Sequence, residues 1–296
     1  MGSYFIAQLL NGLILGSMYA LVAIGFTMVY GILRLINFAH GDVVMIGAFV
    51  TLGLVAVGVP WPVLAVLVLA AGVLAGIGIE KAAFRPMRGA PQVTGFIASL
   101  ALSVLLQNLG VMIFSAQPRN FFLPDYLRKI ITLGNQTFRV LDIIIVASSL
   151  VLMVLLLLLV KTTRLGMAMR ATAENLQVAR LMGIKVNKII MIAFAVGSAL
   201  AAYAGLLWGG KFGQIDPLMG FLPGLKAFVA AVIGGVGSLA GAVLGGFVLG
   251  FGEVLFVGLL PSEYSAYRDA FVFGLLILIL LVMPNGLFGR KAEDRA

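Results

Sequence analysis

The chain has 296 residues, 62% of them hydrophobic and only 10% charged, with a formal net charge of +9 from 20 Lys and Arg against 11 Asp and Glu. A soluble domain carries roughly 25% charged residues, so a mean hydropathy of +1.14 with repeated long apolar runs identifies a polytopic membrane protein built from α-helices. Alternating strands of the membrane-barrel kind are absent, the basic excess points to loop orientation rather than to nucleic acid, and the absence of Cys excludes disulfides and thiolate metal sites.

The N-terminal apolar run has no basic flank and is too long for a signal peptide, so it is expected to remain as the first helix. A proline inside a helix costs about 3 kcal/mol. The ten prolines, at 60, 62, 86, 91, 118, 124, 217, 223, 261 and 284, therefore punctuate the chain. Between them the sequence predicts spans near 4–30, 40–58, 63–80, 94–115, 141–160, 189–209, 224–236, 239–260 and 267–284. Most are long enough for ~30 Å of hydrocarbon. The stretch 224–236 covers only ~20 Å and runs into Gly234, Gly235, Val236, Gly237 and Ser238, the pattern of a short or broken helix. Such a break survives at membrane depth only against protein or a watery cavity. The fold expected is a single all-α transmembrane bundle of eight or nine spans over residues 1–296.

Basic residues orient it. Segments 31–37, 81–91, 161–188 and the C-terminal tail hold 13 Lys and Arg, and the opposite loops hold seven. The bias places the N-terminus outside and the C-terminus in the cytoplasm. Small residues at four-residue spacing mark close-packing faces: Gly12, Gly16 and Ala20; Gly72 and Gly76; Gly197, Ala201, Gly205 and Gly209; Gly237, Gly241 and Gly245.

The segment from Lys161 to Lys188 carries six Lys or Arg, with Glu174 its only acid. Its residues from Arg170 to Met182 favour a helix, and Gly183 is a natural stop. Leu176, Ala179 and Met182 or Gly183 fall on one face, with Glu174, Gln177 and Arg180 on others. Two readings stand: a solvated loop on the lipid surface, or a docking helix for a soluble partner.

Few polar residues interrupt the spans. Asn37, His40 and Asp42 cluster at the first junction, where they either cap and hydrogen-bond the second helix or border the passage. One imidazole and one carboxylate are too few for a zinc site. Asp216 and Lys226 flank the short helix, as interface charges or as part of a vestibule, with Lys226 in an unfavourable first-turn position. Glu253, Gln107 and Asn108 read as inter-helix hydrogen bonders.

The central loop, through Ala173, Glu174, Asn175, Ala179, Gly183 and Ile184, resembles the cytoplasmic coupling loop of ABC importer permeases. The stretches GSMYALVAIGFTMVYGILRLINFAHGD (16–42), GFLPGLKAFVAAVIGGVGSLAGAVLGG (220–246) and LVMPNGLFGR (281–290) are similar to those of LivH-like branched-chain amino acid permeases. The resemblance implies a pore-forming subunit of an importer in the bacterial inner membrane. Its implied partners are a homologous second permease, two cytoplasmic ATPase subunits that hold ATP and Mg, and a periplasmic solute-binding protein. Arg170, Ala173, Glu174, Asn175, Ala179, Gly183 and Ile184 would couple to the ATPases, and Asn37, His40, Asp42, Asp216 and Lys226 would border the pathway. The sequence contains no GxxxxGK[ST] phosphate loop, so P-loop ATP chemistry belongs to another chain. Branched-chain amino acids lead as substrates, with urea, amides and aromatic or organic acids as alternatives. An ion-coupled carrier or channel, or an intramembrane enzyme, fits spans so poor in ionisable groups badly.

Overall fold

No proline lies in a helix interior of the computed structural model, which describes residues 2–133 and 136–289. The chain forms α1 (Gly2–Leu33), α2 (Ala39–Ala56), α3 (Trp61–Ile79) continued by a π-turn (Glu80–Phe84), and α4 (Gln92–Phe114). Next come β1 (Arg119–Asn120), α5 (Asp125–Arg128), β2 (Ile130–Leu133), β3 (Gln136–Arg139) and α6 (Val140–Thr162). The second half holds α7 (Arg164–Glu174), α8 (Leu176–Leu181), α9 (Val186–Phe212), β4 (Gln214–Ile215) and α10 (Phe221–Gly234). It closes with α11 (Leu239–Leu259), a 3-10 turn (Ser262–Tyr267) and α12 (Arg268–Val282). Among the described residues, eight helices are long and apolar enough to cross a membrane. The fold is a polytopic helical bundle.

The short element expected near 224–236 is α10, 14 residues long, or roughly 21 Å. It begins earlier than the sequence predicts because Pro223 fits its first turn, where a missing N–H costs nothing. Lys226 consequently lies in the second turn, not the first. The loop 116–140 contains the β2–β3 hairpin, and β1 pairs antiparallel with β4. The tail residues Arg290, Lys291 and Arg295, counted above as cytoplasmic, lie outside the described residues.

The chain divides into two compact units, one of residues 1–27, 123–153 and 226–296 and one of residues 28–122 and 154–225. In the second, α9 is the central helix, packed by α2 and α3 through glycine. Cβ atoms at Gly72 and Gly76 would collide with Ser198 and Phe194 backbone oxygens on α9. A Cβ at Gly47 would strike Ala202, and one at Gly205 would strike Val44. With no hydrophobic push between helices in lipid, dispersion across such close contacts holds them together.

In the first unit α1 runs antiparallel to α11: Gly12 meets Phe251, Gly16 meets Phe247, and Ala20 meets Gly246. Helices α10 and α11 form an antiparallel hairpin with Gly234 against Gly241 and Gly245 against Ala230. Gly237 was expected in that packing row. It instead sits in the turn at φ +90, a conformation that ends a helix. The Leu287 and Phe288 N–H groups donate to the Ile233 and Gly234 carbonyls at 2.9 and 3.0 Å. The chain after α12 thus satisfies the end of α10 that water would otherwise have to satisfy.

Candidate functional site

Between α6 and α9 the chain builds a compact helical loop from local capping. Thr163 Oγ1 accepts the Gly166 N–H at 3.0 Å and starts α7. The Arg170 guanidinium turns back onto the last carbonyls of α6, Val160 and Lys161, the latter at 3.0 Å. It anchors α7 to the span. The continuous helix predicted from Arg170 to Met182 is interrupted at Asn175, which is extended at φ −153 and ψ 113. Its side-chain oxygen accepts the N–H groups of Gln177 and Val178 at 2.9 and 3.1 Å. Asparagine satisfies new helix donors so well that it starts α8 rather than extending α7.

Helix α8 stops as expected at Gly183, φ +79. The Gly183 N–H reaches the Arg180 carbonyl at 3.0 Å and the Ile184 N–H reaches that of Ala179 at 3.1 Å, a Schellman motif. Ala179 is buried, Ala173 and Ile184 are half-buried, and Glu174, Asn175 and Gly183 are exposed. Met182 does not join Leu176 and Ala179 on the inner face, because it falls past the helix end. With Val178 and Leu181 it forms an exposed apolar edge.

Residues Thr172 to Gln177 and Ile32, Leu33 and Arg34 line a groove of about 320 Å³. Arg34 adopts the left-handed conformation, φ 54, uncommon for a residue with a side chain. Behind the loop Arg88 pairs with buried Glu80 on the π-turn and donates to Asn187 in the first turn of α9. Burial lowers the Arg88 pKa and the Glu80 carboxylate opposes that shift, so the guanidinium stays charged. The contact ties the foot of α3 to the point where the loop re-enters the bundle.

The residues expected to border a pathway take different partners, although the start of α2 packs on the start of α10 with Gly41 against Gly220 and Gly224. Asn37, His40 and Asp42 are all buried, but neither Asn37 nor Asp42 caps α2, whose preceding residue is Phe38 with no side-chain cap. Asp42 Oδ1 accepts from Gln107 Nε2 at 3.1 Å, and that nitrogen also reaches Ser103 Oγ. Neither polar atom of the Asn37 side chain has a hydrogen-bond partner among the described residues. Asp216 Oδ1 accepts the Leu218 N–H at 2.9 Å, holding the turn before α10. Lys226 pairs instead with Glu253 and Asp269, at 2.9 and 2.7 Å. Glu253 also meets Arg268 Nε at 3.1 Å and accepts the Tyr19 hydroxyl proton on Oε2 at 2.9 Å. No group of three or more His, Cys, Asp or Glu able to hold a metal occurs among the described residues.

A family model described as the permease component of a branched-chain amino acid transport system matches residues 8–280. The chain belongs to that family. It is 40% identical to the high-affinity branched-chain amino acid transport system permease protein LivH of Escherichia coli, over 99% of this chain and 98% of LivH. It is 41% identical, over the same shares, to the corresponding BraD of Pseudomonas aeruginosa. The ribose import permease protein RbsC of Haemophilus influenzae is 27% identical over 97% of this chain and 88% of its own. No solved structure matches.

For this permease, the sequence pointed to the loop and to Lys226 but left two sets of partners unread. Glu80 is the only acid between Asp42 and Asp125, a signal that it serves a particular cation. Glu253 and Lys226 are lone charges of opposite sign in neighbouring helices, a signal from which their pairing could have been read. The roles of Arg268 and Asp269 had no comparable signal, because charges at the start of a span read as ordinary interface residues.

Proposed function

We propose that this chain is the membrane-spanning subunit of an ATP-driven importer of leucine, isoleucine and valine in the bacterial inner membrane. The observation that carries the reading is the full-length likeness to high-affinity branched-chain amino acid permeases. A second permease completes the pore, a periplasmic binding protein delivers substrate, and two cytoplasmic ATPases supply ATP and Mg chemistry. Loop 163–185 is their docking point. Its groove beside Arg34 and the exposed edge of Val178, Leu181 and Met182 offer a mixed polar and apolar contact. Arg88, Glu80 and Asn187 carry a push on the loop to α3 and α9.

A cytoplasmic C-terminus and external N-terminus agree with two contacts at opposite ends of α11. The Tyr4 hydroxyl donates to Gly258 at its last turn, while Leu287 reaches Ile233 beside its first.

The test is reconstitution with the second permease, both ATPases and the binding protein, followed by ATP-dependent leucine uptake. Glu174→Trp or Gly183→Trp should reduce uptake to background with the protein still in the membrane. Unchanged uptake would remove the loop from coupling, and failure of the wild-type complex to take up leucine would remove the substrate.

A further inference from the structure

The buried charges of the first unit pair in a pattern that a helix staple does not require. Lys226 and Glu253 form an inner pair, their side chains only 5% and 2% exposed. Each also meets one member of an adjacent outer pair, Lys226 meeting Asp269 and Glu253 meeting Arg268. The outer side chains are 42% and 50% exposed. Two cations and two anions cancel, so no buried charge is left uncompensated.

Arg268 and Asp269 present a cation and an anion from neighbouring positions at the start of α12, directly after the 3-10 turn. An α-amino acid presents the same two charges from one carbon. We propose that Lys226 and Glu253 are a binding site for the carboxylate and ammonium of a zwitterionic α-amino acid, held by Asp269 and Arg268 when no substrate is bound. The choice of ligand class rests on the function proposed above.

Three features favour exchange. The Lys226–Asp269 contact is an ion pair without hydrogen-bond alignment, since Asp269 Oδ1 takes no hydrogen bond; charge alone holds it. Tyr19 fixes Glu253 through Oε2, while Oε1 is shared by Lys226 and Arg268, so Arg268 can leave without breaking the inner pair. The same Tyr19 ring lies 5.6 Å from Lys226 Nζ and steadies the ammonium through its face. Replacing the outer pair by a zwitterion keeps the cluster neutral, whereas a ligand bearing one charge strands its opposite in a buried site. The site therefore selects for both charges together.

The test is direct binding of L-leucine to the purified full-length permease in detergent, with folding followed by thermal unfolding. Arg268→Gln with Asp269→Asn removes the internal competitor and should tighten leucine binding about tenfold, since a site free of its own occupant is more often competent. Lys226→Gln with Glu253→Gln should abolish it. Should that variant not fold, Glu253→Gln alone, which can still accept from Tyr19, should lose most of its leucine affinity, and unchanged affinity there would equally overturn the proposal. 4-Methyl-2-oxopentanoate, which lacks the ammonium, and isopentylamine, which lacks the carboxylate, should each compete poorly. Unchanged affinity in the Arg268→Gln, Asp269→Asn variant, leucine binding without Lys226 and Glu253, or effective competition by either single-charge analogue would overturn the proposal. Binding needs no ATPase, so failure of ATP-driven uptake tests only the function proposed above.

Discussion

Gly205 of α9 lies against the carbonyl oxygen of Val44 on α2 so closely that a Cβ would stand 1.9 Å from it. That oxygen belongs to backbone already committed within a helix and cannot swing aside. Gly205→Ala should therefore force the two helices apart, at a cost of about 3 kcal/mol or more from overpacking. Gly53, on the same α2, has nothing within 4 Å of a built Cβ. Gly53→Ala should be neutral or stabilise by up to about 1 kcal/mol through helix propensity. Thermal unfolding of the two variants in one detergent checks the contrast.

Glu253 is buried with two cations and a tyrosine on its carboxylate. Glu253→Ala should destabilise by roughly 3–5 kcal/mol because it leaves Lys226 short of a counter-charge. Lys226→Met combined with Glu253→Met should cost less than either single change, since no inner charge then remains unpaired. A double-mutant cycle on unfolding free energy measures this, and additive losses would show that the pair acts independently.

Arg88 links Glu80 with Asn187. In the reconstituted importer proposed above, Arg88→Gln should leave ATP hydrolysis intact while leucine uptake falls several-fold, the outcome expected if this contact transmits movement of the loop to the foot of α3. Arg88→Lys should rescue poorly, since one ammonium cannot replace a planar fork serving two acceptors. The ratio of ATP hydrolysed to leucine transported reports the outcome. An unaltered ratio would make the contact purely structural.

Asn175 caps α8 through two N–H groups. Asn175→Ala should weaken α8 by about 1 kcal/mol, and Asn175→Asp should preserve it. Hydrogen exchange of the Gln177 and Val178 amides is the readout, with faster exchange expected only in the alanine variant.

The chain contains no cysteine, so single introduced thiols report topology cleanly. Cysteine at Glu174 should be shielded from an impermeant maleimide in intact spheroplasts. Cysteine at Tyr264, half-exposed in the 3-10 turn before α12, should be labelled from outside. Labelling at 174 with shielding at 264 would invert the orientation, and labelling of both would place them on one side.

Some of the site could be read directly because its physics is local. Gly183 stops α8 where a glycine in the left-handed region should, and each proline falls clear of a helix interior. Met182 and Asn175 departed from expectation for local reasons too. One fell past the helix end, and the other offered its side chain to backbone donors two and three residues ahead. Lys226 was singled out with Asp216 as an interface or vestibule charge; its pairing with Glu253 was missed although both are lone charges of opposite sign, and its contact with Asp269 had no signal.

The amino-acid sequence by itself determined a multi-span helical bundle with one short element, because lipid leaves backbone groups no partner but their own helix and sets a minimum apolar length. Composition and punctuation suffice to read such a rule one segment at a time. Tertiary structure alone decided which buried charges meet, which N–H groups satisfy the end of α10, and how Arg88 reaches Asn187. Those pairings depend on the rotation and depth of each helix, and these follow from glycine contacts between segments far apart in the chain.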